Sequence, residues 1–348
     1  MSYDKHYLLY FFGAMAAGLL LIFSAGFYAE PLSGDLTRVG GWTERDFGWR
    51  EPLPEMPIDA NFQDIKAAGV LVLGDSFSLA NIWQTLVGRE WGLNIASHNY
   101  EQFVCIEQWL EMLESNGMLG GKTVIVESLE RFFASRFGNI GACRKSKSRD
   151  LSVVKPFEAF THGEIPTSRR TGGEIPTDVV YLLKVLKNYA MGAIRGDQAI
   201  LPGVAVNAPL SSTRLFSNRR SDRILYYYED DAESGWTTEQ VEESVRSIAA
   251  IQRRIEAAGG RFLFVLVPNK SSVYSDFIVG RPDGDRYTPI IQSLRRGGVA
   301  AADVLTPFRE RIEKEVDFYL PDDTHVSTRG YLALGEVISG EMRRMDVK

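Results

Sequence analysis

Hydrophobic and polar positions divide this chain into three regimes. The first is an unbroken apolar run from Tyr7 to Ala29 with no charged residue and no polar face. About 20 apolar residues are enough for a helix to cross a bilayer, so the run is expected to be a membrane anchor. Lys5 precedes it, and Glu30 and Asp35 follow. That weak bias fits a cytoplasmic N-terminus with the rest of the chain translocated. The rival reading is a cleaved signal peptide, for which Ser24-Ala25-Gly26 offers small residues. The length of the run and the aromatic residues crowding its end favour the anchor. A buried core helix is a third alternative, and the missing polar face does not distinguish it.

The second regime alternates strand-like and helix-like patterns. Apolar runs at 69–73, 93–97, 123–128 and 261–267 have the length and bounding residues of buried strands. Helical spacing occupies 79–88, 106–115 and 238–258. The last of these opens on the capping signal Thr237-Thr238-Glu239-Gln240 and stops at Gly259-Gly260. Strands alternating with helices predict an α/β fold, a three-layer sandwich around a central parallel sheet. The third regime breaks this rhythm twice. Residues 30–61 are Gly/Pro-rich with little periodicity and read as a linker holding one short strand. Residues from about 144 to 236 contain Lys145-Ser146-Lys147-Ser148-Arg149, the pentapeptide Gly-Glu-Ile-Pro-Thr at 163–167 and again at 173–177, and Tyr226-Tyr227-Tyr228-Glu229-Asp230-Asp231. They read as an insertion, helical around 179–191, that either lines an acceptor groove or decorates the surface. The duplicated pentapeptide is too short for a structural repeat. The predicted organisation is therefore an anchor over 1–29, a linker over 30–61 and a catalytic domain over 62–348.

Composition narrows the classes. The chain has 348 residues, 45% of them hydrophobic, enough for a substantial core. A formal net charge of −6 argues against a nucleic-acid partner. Cys105 and Cys143 are the only cysteines and form no CxxC, and the four histidines are scattered without HxH or HExxH spacing. No metal site, phosphate loop or dinucleotide fingerprint is expected. The two cysteines are free to pair if the domain lies outside the cytoplasm.

Two phrases carry candidate chemistry. Val70-Leu71-Val72-Leu73-Gly74-Asp75-Ser76-Phe77-Ser78 reads as a buried strand that turns at Gly74 and delivers Ser76 to the start of a helix. Backbone N–H groups at such a place favour a developing oxyanion. Asp75 is expected to cap that helix or to bond a neighbouring loop. Asp322-Asp323-Thr324-His325 sits on a loop before a terminal apolar helix. A serine needs a base and the base needs a carboxylate to fix its tautomer, and the two phrases supply all three groups. Asp323 is the first choice for orienting His325, and Asp322 is the alternative. The competing readings are a structural turn serine and an incidental surface histidine.

These residues resemble the SGNH hydrolase-like superfamily, also called the GDSL family. Gly74-Asp75-Ser76 matches its nucleophile block, and Asp322-x-x-His325 its terminal Asp/His block. Asp323-Thr324-His325, Glu127-Ser128-Leu129-Glu130-Arg131 and Pro268-Asn269-Lys270-Ser271-Ser272-Val273-Tyr274 are similar to blocks of alginate O-acetyltransferase-like proteins, the AlgJ/AlgX group. The resemblance covers 65–135 and 245–345 and leaves the middle unmatched. In the alginate proteins the Asp-Thr-His block precedes the serine block; here it follows. The superfamily's Gly-x-Asn-Asp block is not evident, and Asn99 after the second strand is a loose candidate for an oxyanion donor.

The resemblance implies an SGNH/flavodoxin-like fold and transfer of acetyl groups to a polysaccharide, such as an alginate-like exopolysaccharide, through a Ser76 acetyl-enzyme. It implies no cofactor, a membrane-bound O-acyltransferase partner that supplies the acetyl donor, and a single-pass bacterial inner-membrane protein with its catalytic domain in the periplasm. The alternatives are a carbohydrate acetylesterase of the same fold and a non-catalytic subunit of polysaccharide export. Arg131, Lys270 and Tyr274 are candidate substrate-binding residues, with pairing of the two cations to Glu130 or Glu127 as the structural alternative. Trp83, Trp91 and Trp109 are candidates for a sugar-stacking platform, with core packing as the more ordinary role.

Overall fold

A computed structural model describes residues 3–30, 32–58, 64–103, 105–138, 176, 178–201, 203–232, 236–281 and 285–346. Its centre is a five-stranded parallel sheet in the order β2-β1-β3-β6-β7. The strands are β1 (Val70–Gly74), β2 (Ile95–Asn99), β3 (Thr123–Leu129), β6 (Arg261–Val267) and β7 (Ala301–Ala302). Apart from Arg261 at the start of β6, every residue of these strands is buried. Continuous apolar runs of this kind arise where helices cover both faces of a parallel sheet. The helices Ile82–Trp91 and Thr328–Asp346 pack on each other, and Thr238–Ala257 packs on Phe133–Phe137 and Tyr287–Arg296. The predicted α/β architecture with a central parallel sheet is the one observed.

Register brings the chemistry to one edge. Gly74 pairs with Asn99 at the carboxyl ends of β1 and β2, and Leu129 pairs with Val267 at the ends of β3 and β6. The segments that leave these strands therefore emerge side by side, as ligand-binding loops do in open α/β sheets. A broad cavity of about 1050 Å³ opens at the other edge, where Gly260 and Arg261 begin β6, remote from these loops.

The N-terminal helix runs Tyr3–Ala29, and His6–Ala29 is long and apolar enough to cross a membrane, with a mean hydropathy of 2.1; its most apolar stretch is not buried in the protein, while Gly26 and Ala29 at its end are. The expected linker is corrected in its described part. Asp35–Gly40 and Glu44–Phe47 form short helices, and Leu36, Trp42 and Phe47 join Ile200, Ala205 and Leu225 in a second apolar core. The expected insertion contributes the helix Val179–Arg195 and the antiparallel pair β4 (Ala205–Pro209) and β5 (Arg223–Tyr227). Alternate residues of this pair face different cores: Val206, Ala208, Ile224 and Tyr226 face the main one, Ala205 and Leu225 the second. The pair thus joins the segment after the N-terminal helix to the central sheet. Residues 145–149, the first pentapeptide and all of the second except Pro176 lie outside the described residues.

Candidate active site

The serine turn is built from its own sheet. After β1 the chain enters a one-turn helix, Ser76–Leu79, and Ile82–Trp91 follows only after Asn81 adopts a left-handed φ of 53°. The expected single helix over 79–88 is thus broken, so little macrodipole is available at Ser76 and only its local N–H groups remain. Asp75 is the N-cap, accepting from the Phe77 N–H at 3.2 Å. Its other oxygen accepts from the Leu129 N–H at 2.9 Å and from Arg136 at 2.6 Å. Burial alone would raise the Asp75 carboxyl, but Arg136 and the two N–H donors hold it below its ordinary value. Glu127 accepts from the Asp75 N–H at 3.0 Å and from the Ser78 hydroxyl at 2.8 Å. Burial, with Asp75 beside it, pushes the Glu127 carboxyl well above its usual range. Gly74 is required here, because a Cβ would overlap the Ser78 hydroxyl and lie 2.6 Å from Glu127 Oε2. Ser76 itself is half-buried.

The histidine arrives on a loop held by distant parts of the chain. His325 Nδ1 lies 2.6 Å from Asp323 Oδ1, which also accepts the His325 backbone N–H at 3.0 Å. The second Asp323 oxygen accepts the Asp35 N–H at 3.1 Å. Burial by itself would raise Asp323 and lower His325. The attraction between them outweighs it, holding the carboxyl well below its ordinary value and raising the imidazole. The His325 ring packs on Phe77, the residue after Ser76, at 5.1 Å between centroids. Serine turn and histidine loop thus share one end of the sheet. Among the described residues, no hydrogen bond joins the Ser76 hydroxyl to the imidazole.

Asp322, the alternative to Asp323, turns the other way. Its carboxyl accepts from the Ser33 hydroxyl at 2.9 Å, and its backbone carbonyl accepts from the Leu36 and Thr37 N–H groups at 3.0 and 3.3 Å. Burial and the neighbouring Glu44 carboxylate push the Asp322 carboxyl well above its usual range. Glu44 in turn accepts from the Ser33 and Gly34 N–H groups at 3.1 and 3.0 Å. Asp322 therefore fastens the loop to the juxtamembrane segment, and only Asp323 meets the imidazole.

The other candidate residues fall into different places. Asn99 ends β2 beside Gly74 and caps a short turn, its oxygen accepting from the Glu101 N–H at 2.9 Å. Lys270 is fully buried, and its ammonium donates to the carbonyls of Leu320, Pro321 and Asp323 at 2.7, 3.2 and 3.1 Å. Burial pulls it down to about 7 against the raising influence of Asp322 and Asp323. It braces the histidine loop. Arg131 pairs with Asp230 at 2.8 Å and lies over the Tyr227 ring, so its partner is neither Glu130 nor Glu127. Tyr274 is fully buried, and its hydroxyl accepts the Tyr319 N–H at 3.3 Å. In this structure Lys270 and Tyr274, expected at the substrate, make their polar contacts within the protein. Trp83 and Trp109 are fully buried and Trp91 packs against the core, so they form no exposed platform. Trp109 donates to His98, whose burial pulls it down to about 4, leaving it a neutral core residue.

Sequence reasoning missed Arg136, Ser33, Asp35 and Glu44. Arg136 lies only a few positions past the matched Glu127–Arg131 block. The other three sit in a stretch without periodicity, and no local signal marks them. Asp35, Asp323 and His325 offer ligand atoms within 4.8 Å of one another, close enough for a cation to reach all three. Both Asp323 oxygens and His325 Nδ1 are already engaged, by the loop itself and by the Asp35 N–H, so the cluster suits orienting the imidazole and stabilising its charge better than a metal. Cys105 is disulfide-bonded; Cys143, the only other cysteine in the chain, lies outside the described residues.

Comparison with curated proteins and with solved structures gives no match. A family model matches residues 221–346, a stretch that holds β6, Lys270, Asp323, His325 and the terminal helix but not the serine strand. That model describes the SGNH hydrolase-like domain of acetyltransferase AlgX, and its match over these residues supports an AlgX-like SGNH branch for this chain.

Proposed function

We propose that this protein is an extracytoplasmic O-acetyltransferase that acts on a polysaccharide through an acetylated Ser76. One observation carries the reading: the Asp323–His325 pair is packed on Phe77, next to a half-buried Ser76, at the carboxyl edge of the sheet. With Nδ1 held by Asp323, His325 keeps Nε2 for proton transfer. Nε2 accepts the Ser76 proton as Oγ attacks the acetyl carbonyl carbon. The oxyanion of the tetrahedral intermediate is met by the Ser76 N–H and the Asn99 side-chain amide, whose oxygen alone is used in capping. Collapse of the intermediate breaks the bond to the donor's leaving group, which takes the proton back from His325. A sugar hydroxyl then gives its proton to Nε2 and attacks the acetyl-enzyme, and Ser76 departs with the returned proton. The raised imidazole suits the second half of each step, in which His325⁺ acts as acid.

The apolar N-terminal helix and the disulfide at Cys105 support anchorage in a bacterial inner membrane with the domain on the periplasmic side. An acetyl donor delivered by a membrane-bound O-acyltransferase fits that placement. The reading is tested by intact-mass analysis after incubation with p-nitrophenyl acetate. One acetyl group is expected on Ser76 and none on Ser76→Ala. An unmodified Ser76, or acetyl found elsewhere, defeats the proposal. Adding oligosaccharide acceptors separates transfer from hydrolysis, because acetylated sugar appears only if transfer is real.

A further inference from the structure

The helix Val179–Arg195 is apolar on two opposite sides. Tyr181, Leu182 and Val185 are buried on one side, with Asn188 donating to the Gly40 and Gly41 carbonyls at 2.8 and 2.9 Å. On the opposite side Val179, Leu183, Leu186, Ala190 and Ile194 recur at helical spacing and are all exposed, Leu183 at 58% and Ile194 at 80%. Val180, 62% exposed, widens the stripe. An outward apolar stripe of this length on a water-soluble domain marks an interaction surface.

What covers the stripe follows from its neighbour. The inner side packs on the last turns of the N-terminal helix: Tyr181, Leu182 and Val185 cluster with Ile22, Ala25 and Ala29, and Tyr189 meets Tyr28 at 5.7 Å between ring centroids. The 24-residue span is ~36 Å long at about 1.5 Å per residue. That exceeds a hydrocarbon core of about 30 Å by roughly one turn, so the last turn, with Ala29, reaches headgroup level and Ile22 and Ala25 lie just beneath it. The stripe is held at the same level. The helix also contains no acidic residue, while Lys184, Lys187 and Arg195 are all exposed. Lysines and arginines flanking an apolar stripe are the mark of a helix lying in an anionic lipid interface.

We propose that Val179–Arg195 is a second membrane contact: it lies in the headgroup region of an anionic phospholipid surface, stripe downward, alongside the end of the N-terminal helix. The inference rests on the membrane-spanning reading of that helix and is independent of the acyl chemistry. Its consequence is orientation, because two contacts fix how the domain stands on the bilayer where one leaves it free to swivel.

The test uses the full chain in lipid vesicles, with an environment-sensitive fluorophore on Leu183→Cys, on Ile194→Cys or on the distant exposed Lys314→Cys. Unchanged thermal unfolding of each variant verifies its fold. Quenching by phospholipids that carry a spin label in the acyl chain is expected to be several-fold stronger at 183 and 194 than at 314, and stronger still when phosphatidylglycerol is included. The double change Lys184→Glu, Lys187→Glu should remove the dependence on phosphatidylglycerol. Equal lipid quenching at all three sites overturns the proposal. So does shielding of 183 and 194 from aqueous iodide without lipid quenching, which would mean that protein covers the stripe. A double variant that still responds fully to phosphatidylglycerol overturns the anionic partner. Resistance of the same samples to carbonate extraction reports on the N-terminal helix alone and keeps the two readings apart.

Discussion

Ser76 is held by the sheet that delivers it, whereas the loop bearing His325 is held partly by a segment nearly three hundred residues away. Around the serine, Asp75, Ser78, Glu127, Leu129 and Arg136 bond one another at the ends of β1 and β3. Around the histidine, the contacts come from Lys270 after β6 and from Ser33 and Asp35 after the N-terminal helix. The first set of bonds lies within the sheet and the segments that leave it; the second adds a segment from the start of the chain.

The comparison breaks most sharply if the two halves do not work together. Ser76→Ala and His325→Ala should each lower p-nitrophenyl acetate turnover by about 10³-fold or more, and the double variant should be no worse than either, because groups that act as a unit are not additive. Multiplying losses would mean that the two residues serve separate processes. Next in size is Asp323→Asn, with a loss on the order of 10³-fold from a mis-set tautomer. Asp323 raises the imidazole, so its basic form is reached at a higher pH than it would be without that carboxylate. Without that carboxylate the rising limb of the pH–rate profile should move to lower pH, and an unmoved limb would remove Asp323 from the role.

A pair of glycines sharpens the contrast between halves. A Cβ at Gly34 would overlap the Asp322 carbonyl, and one at Gly74 would overlap the Ser78 hydroxyl. Gly74→Ala should destabilise the domain by about 1–3 kcal/mol through overpacking, read by urea unfolding. Gly34→Ala should lower kcat by about 10- to 10²-fold through displacement of the histidine loop, with a smaller change in unfolding midpoint. Equal effects of the two on unfolding, with no kinetic difference, would erase the distinction drawn here. The smallest effect belongs to Asp322→Asn. The Asp322 carboxyl is pushed well above its usual range and bonds Ser33 rather than the imidazole, so an amide of the same shape should change kcat by less than about 3-fold. A loss as large as that of Asp323→Asn would reverse the assignment of the two acids.

The parts legible in the sequence are those whose cause is local. The strands of β1, β3 and β6 announce themselves as apolar runs, Gly74 marks the turn, and acids two and three positions from His325 mark a base. The choice between Asp322 and Asp323 was not legible, because it depends on where Ser33, Asp35 and Glu44 lie. Residues 32–49 resembled a linker because two helices of a turn or so leave no period, and their burial partners Ile200, Ala205 and Leu225 come from far along the chain. Lys270 invited a ligand role as a cation beside a strand end, yet its burial and three carbonyl partners appear only once the 320–323 loop has folded over it. Arg131 was weighed against nearby glutamates, whereas Asp230 reaches it from the turn after β5.

The short passage from Ala29 to Ser33 sets a leash. Fully extended residues span at most about 3.6 Å each, so the loop bearing Asp322 and Asp323 is tied within ~14 Å of chain to the end of the apolar helix. On the function proposed above, with that helix in a membrane, the acceptor strand and the acyl source must both come to a narrow zone just above the lipid, and a polymer is within reach only as it leaves or skirts that surface.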